Sequence, residues 1–71
     1  GNIADEYLSL KFSDQLLNRS EMLFVYDGLG KEMKSISIDD ELLKMNVSGW
    51  NSGIYYLKVA SFPDAVKFIV N

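Results

Sequence analysis

The sequence predicts an all-β domain, a small antiparallel β-sandwich. Three observations predict it. Apolar and polar residues alternate with period two along most of the chain, clusters of turn formers separate these runs, and the spacing between clusters is roughly regular. A partly open barrel satisfies the same pattern. With 71 residues the chain holds one domain, spanning residues 1–71, because a domain this small buries only about 60% of the surface its unfolded chain exposes.

The elements follow in order. Leu8, Leu10 and Phe12 alternate with Tyr7, Ser9 and Lys11, which predicts a strand with one buried face. A polar stretch covers residues 13–20. Met22-Leu23-Phe24-Val25-Tyr26 is apolar on both faces, the pattern of a strand covered on both sides. Asp27, Gly28 and Gly30 then form a turn signature, because hairpin loops need residues that tolerate positive φ. The next strand, within residues 32–38, is therefore antiparallel to it and sets Ile36 and Ile38 on one face. Leu43, Met45 and Val47 alternate with Lys44 and Asn46 as a fourth strand, although a helical turn over residues 39–44 competes for the segment. Residues 48–53 are dense in turn formers. Residues 54–59 beyond them are the most β-prone stretch and the expected central strand. A turn at residues 61–64 contains the single proline, and residues 65–70 form the last strand, with Val66, Phe68 and Val70 on one face.

Composition narrows the function classes. The chain is 48% hydrophobic and 13% aromatic, too apolar for a disordered tail. It has no cysteine and no histidine, so there is no disulfide and the usual zinc ligands are missing; stability rests on packing. The net charge is −3 and the seven basic residues are scattered singly, unlike the clustered footprint of a nucleic-acid binder. No apolar run approaches the ~20 residues of a membrane-crossing helix, and no charged-then-apolar amino end marks a signal peptide. The chain therefore reads as mature, a fragment or cytoplasmic, with Gly1 as the scar of a cleaved tag.

Candidate chemistry is sparse. Without histidine or cysteine the commonest bases and nucleophiles are absent, so no catalytic residue is assigned and no enzyme is expected. Asp39, Asp40 and Glu41 are the one carboxylate cluster, and three adjacent acids suit a solvated turn better than a calcium site of six to eight oxygens. No metal and no cofactor is expected. Trp50 and Tyr56 are candidate ligand-binding aromatics, against the blander reading in which Trp50 caps one end of the sandwich and one of the adjacent tyrosines, Tyr55 or Tyr56, joins the core.

Three landmarks carry a resemblance: Val25-Tyr26-Asp27-Gly28-Leu29-Gly30-Lys31-Glu32, then residues 46–59 with Ser52-Gly53-Ile54-Tyr55, and finally Lys67-Phe68-Ile69-Val70. Together they resemble the C-terminal sorting domain of the type IX secretion system, type A, the Por secretion tail family, over nearly the whole chain. Asn2-Ile3-Ala4-Asp5 stands where that family opens with proline-asparagine-proline-alanine, and it lacks both prolines. The resemblance implies an immunoglobulin-like sandwich of six to seven short strands that is not an enzyme. It implies a signal at the end of a larger protein, recognised by an outer-membrane translocon or surface-attachment proteins, with passage through the periplasm to the cell surface or medium. It makes Gly53, Tyr55, Lys67 and Val70 the recognition residues. The other reading of the residues is an accessory adhesion module that binds carbohydrate or protein through Trp50 and Tyr56. A strand edge left free adds a homodimer to the expected partners.

Overall fold

The computed structural model describes residues 3–71; the expectations placed on Gly1 and Asn2 lie outside the described residues. Seven strands and one short helix follow in order: β1 (Ile3–Ala4), β2 (Tyr7–Lys11), α1 (Asp14–Leu17), β3 (Met22–Asp27), β4 (Glu32–Ser37), β5 (Leu42–Asn46), β6 (Gly53–Val59) and β7 (Val66–Val70). They make two sheets, one of five strands in the order β1-β7-β6-β3-β4 and one of two, β2-β5. The β1–β7 pair is parallel and every other pair is antiparallel.

Strand alternation creates the core between the sheets. Leu8 and Met45 come from the small sheet, Leu23, Val25, Leu57 and Phe68 from the large one, and all are buried. Val25 and Val47 expose nothing to solvent. Burying each such side chain contributes about 1.5–3 kcal/mol, which has to serve in a chain that has no cysteine for a disulfide.

Several expectations hold. The all-β sandwich forms, residues 42–46 are a strand rather than a helical turn, and β6 is the central strand of its sheet. Matching β2 to β7 with strands B, C, C′, E, F and G, the large sheet reads G-F-C-C′ and the small one B-E, an immunoglobulin-like arrangement without strands A and D.

Two expectations are corrected. Residues 22–26 are not covered on both faces: a two-layer sandwich buries only Leu23 and Val25 and leaves Met22, Phe24 and Tyr26 half-buried on the outer face, with the Phe24 and Tyr26 rings 6.5 Å apart. The stretch at residues 13–20 is not merely a polar connection. Within it α1 turns Leu16 and Leu17 against the core, a single turn too short for periodicity to reveal. The last strand has partners on both sides, β6 along its length and β1 at its final residues through Ile3↔Ile69 and Ala4↔Val70.

Candidate functional site

The candidate recognition residues lie along the ladder between β6 and β7, where Gly53 faces Val70, Tyr55 faces Phe68 and Tyr56 faces Lys67. Alternation sends the adjacent tyrosines to opposite faces. Tyr55 is buried between the sheets, and its hydroxyl donates to the backbone carbonyl of Asn51 at 2.7 Å. Its ring lies between Trp50 and Phe68, with centroids 5.1 and 5.6 Å away. A tyrosine near the start of strand F that bonds back to the preceding turn is the tyrosine corner of immunoglobulin-like sandwiches. Tyr55 and Val70 are thus inward-facing and hold the ladder, whereas Gly53 and Lys67 are exposed.

Turn chemistry sets the entry to β6. The Asn46 side-chain oxygen accepts from the backbone N–H of Ser48 (2.9 Å) and from its hydroxyl (2.6 Å), Trp50 N–H bonds to Val47 O, and Gly49 takes φ +84°. This turn lays Trp50 half-buried over Tyr55, where it caps the end of the core. Gly53 then starts the strand at φ +152°, a conformation that side-chain-bearing residues rarely adopt.

The β3–β4 hairpin stands beside this turn. Asp27 Oδ1 accepts from the N–H groups of Leu29 and Lys31, both at 2.9 Å, and Gly30 closes the three-residue loop at φ +86°. Gly28 lies so close to β6 that a Cβ there would meet Ile54 O at 3.2 Å. The fold therefore brings the hairpin residues Asp27 and Gly28 next to Gly53, and the two turns border an open depression of about 480 Å³. Leu29, at the hairpin tip, is 97% exposed. The sequence reading passed over it, yet an apolar residue between two loop glycines is a detectable signal, because turn chemistry alone favours a polar one.

Lys67 belongs to a different surface, the outer face of the large sheet. Across four strands one row runs Glu32, Tyr26, Tyr56, Lys67. Lys58 lies on the same face opposite Phe24, its ammonium 3.3 Å from Ala60 O. Among the described residues the one ion pair is Lys11–Glu41 at 3.5 Å, on another part of the molecule, and no three acidic side chains gather to hold a metal ion. Trp50 and Tyr56 occupy different faces and do not share a platform.

The profile of the family described as secretion system C-terminal sorting domain matches residues 2–71. The chain belongs to that family. No curated protein and no solved structure matches it. As a type IX sorting domain it marks a protein for secretion and surface export and engages the secretion machinery, and the family is not one known for catalysis. Its three sequence landmarks fall on the β3–β4 hairpin, the β5–β6 turn with β6, and β7, which meet in the centre of one sheet.

Proposed function

We propose that this sorting domain is read by an outer-membrane translocon, after passage through the periplasm, at the outer face of β6 and β7. Lys67 carries the reading: it is an exposed cation beside the half-buried Tyr56 on the central strands, and no described side chain forms an ion pair with it. Gly53 contributes at the rim, where a bare backbone leaves room for a partner. Tyr55 and Val70 act indirectly, by fixing the strands that present these groups. Export followed by surface attachment or release is the outcome for the parent protein.

Fusion to an inert periplasmic reporter in a type IX host tests this. The wild-type fusion reaches the cell surface or medium, Lys67→Glu retains the reporter in the periplasm, and Lys34→Glu on β4 leaves export unchanged. Export of Lys67→Glu at the wild-type level refutes the role of that face. A homodimer would use the free edge of β4, since both edges of β7 are wholly or partly engaged; sedimentation velocity distinguishes monomer from dimer.

A further inference from the structure

The outer face of the large sheet is apolar where a solvated face is usually polar. An antiparallel sheet with one face in water alternates apolar inward and polar outward. Here the inner strands β3 and β6 turn Met22, Phe24 and Tyr26, then Ile54 and Tyr56, outward, with Lys58 the one charge among them. Ile54 is 44% exposed, and the three aromatic rings stand half-buried. Among the described residues no element packs over this face: the small sheet lies against the other one, and α1 turns its leucines to the core. A contiguous apolar surface of this kind marks a contact with another molecule.

The charges around that surface select the molecule. They stand at opposite ends of one row, Glu32 on β4 and Lys67 on β7, with Tyr26 and Tyr56 between them. Three strand spacings separate the two, about 14 Å. Both are exposed, and neither forms an ion pair with a described side chain. A row that is negative at one end and positive at the other is complementary to itself turned round. A two-fold axis parallel to the strands, over the junction of β3 and β6, lays a second copy on the face with the row reversed. Glu32 then meets Lys67 of the second copy and Tyr26 meets its Tyr56, each contact occurring twice, as an isologous interface requires. The same axis sets Phe24 against Lys58 of the second copy, a cation over an aromatic face. An axis lying across the strands instead brings Lys67 to Lys67 and Glu32 to Glu32. Packed sheets lie about 10 Å apart with strand directions about 30° off, and side chains as long as Lys and Glu reach across that gap.

We propose that two copies of this domain associate face to face through the large sheet, with Glu32 and Lys67 exchanged across the two-fold axis. The contact is weak and reversible. Five strands about 4.8 Å apart and about six residues long present roughly 24 by 20 Å, about 480 Å² per copy, below the ~800 Å² per partner of a standard interface and in the transient class. The free edge of β4 is the other site for a second copy. A register shift bulges that strand pair beside Tyr26, however, and a bulge together with an edge lysine such as Lys34 opposes edge-to-edge pairing. The association does not depend on the export reading. Where that reading holds, the dimer covers Lys67 and only the monomer displays it.

Sedimentation velocity of the purified chain, over concentrations from micromolar to millimolar, tests this. The wild-type chain shifts from monomer to dimer across the series. Glu32→Lys sets lysine against lysine at both ends of the row and Lys67→Glu sets acid against acid, so either substitution alone weakens association by about tenfold or more. Mixed in equal amounts, the two variants form a heterodimer, because a face with two lysines fits a face with two acids. Both substitutions in one chain restore the homodimer. Misfolding of a variant cannot produce either recovery. A wild-type chain that stays monomeric at millimolar concentration overturns the inference. So does a dimer that survives both single substitutions, which assigns the contact to the β4 edge, and so does a mixture of the two variants that stays monomeric.

Discussion

Replacing Tyr55 with phenylalanine isolates the hydroxyl of the tyrosine corner. The ring stays between Trp50 and Phe68, so no cavity forms and apolar burial is nearly unchanged. What disappears is one part-buried hydrogen bond of 2.7 Å, and Asn51 O loses its donor. A hydrogen bond of this kind contributes about 1 kcal/mol net, and a carbonyl left without a partner adds up to about 1 kcal/mol more where water cannot reach it. The expected loss is therefore about 1–2 kcal/mol. For a domain of this size each 1 kcal/mol lowers Tm by about 4–8 °C, and urea unfolding should show a lower midpoint at an unchanged slope. Trp50 is the only tryptophan and sits 5.1 Å from the mutated ring, so its fluorescence follows the transition directly. Tyr55→Ala supplies the contrast, since truncating a buried aromatic costs about 3–5 kcal/mol and should leave little folded protein. A Tyr55→Phe variant within about 0.3 kcal/mol of wild type would refute the assignment of the hydroxyl as the clamp on the β5–β6 turn.

Other substitutions probe the turns. Gly30→Ala places a Cβ at φ +86° with open space around it, so the cost is conformational, about 1–2 kcal/mol, read as a lower urea midpoint. Asp27→Ala removes the acceptor for two backbone donors in an exposed loop and should cost about 1 kcal/mol, with hydrogen exchange accelerated first at Leu29 and Lys31. Ser20 is the one non-glycine residue at positive φ among the described residues, at 53°; Ser20→Gly should raise Tm by a few degrees, as relief of about 1–2 kcal/mol of strain exceeds the glycine entropy cost of about 0.5–1 kcal/mol. Phe68→Ala removes a side chain only 1% exposed and should cost about 3–5 kcal/mol, abolishing the cooperative unfolding transition.

Most of the sandwich was legible because a half-buried strand writes its orientation in every second residue. Met45 and Val47 faced inward as their alternation indicates, and the Asp-Gly turn identified the β3–β4 hairpin. What stayed hidden depended on pairings remote in sequence or too brief to have a period. The two-residue β1 has no pattern of its own and is defined only by its partner β7, 66 positions away, and the four-residue α1 is one turn long. The apolar outer residues of β3 misled for a related reason: Met22, Phe24 and Tyr26 lie half-buried on an open face, which sequence cannot distinguish from cover by a second layer. Tyr55 and Val70 were singled out by a resemblance, and the structure shows that they are buried while Gly53 and Lys67 are exposed. Leu29 was overlooked because loop glycines drew the reading to backbone conformation.

The β1–β7 pair joins the two ends of the chain, with Ile3 beside Ile69 and Asn71 bonded to Ala4. Closing a loop of nearly the whole domain is entropically costly and kinetically late. During synthesis β6, the centre of the sheet, has an unfilled edge until β7 emerges, so the domain cannot finish folding before that strand exists. A chain that terminates even a few residues early lacks Phe68 and Val70 and with them the seam of the core. Native structure here thus depends on β7 having been made, and a signal displayed only by the folded domain is absent from any chain broken off before that strand.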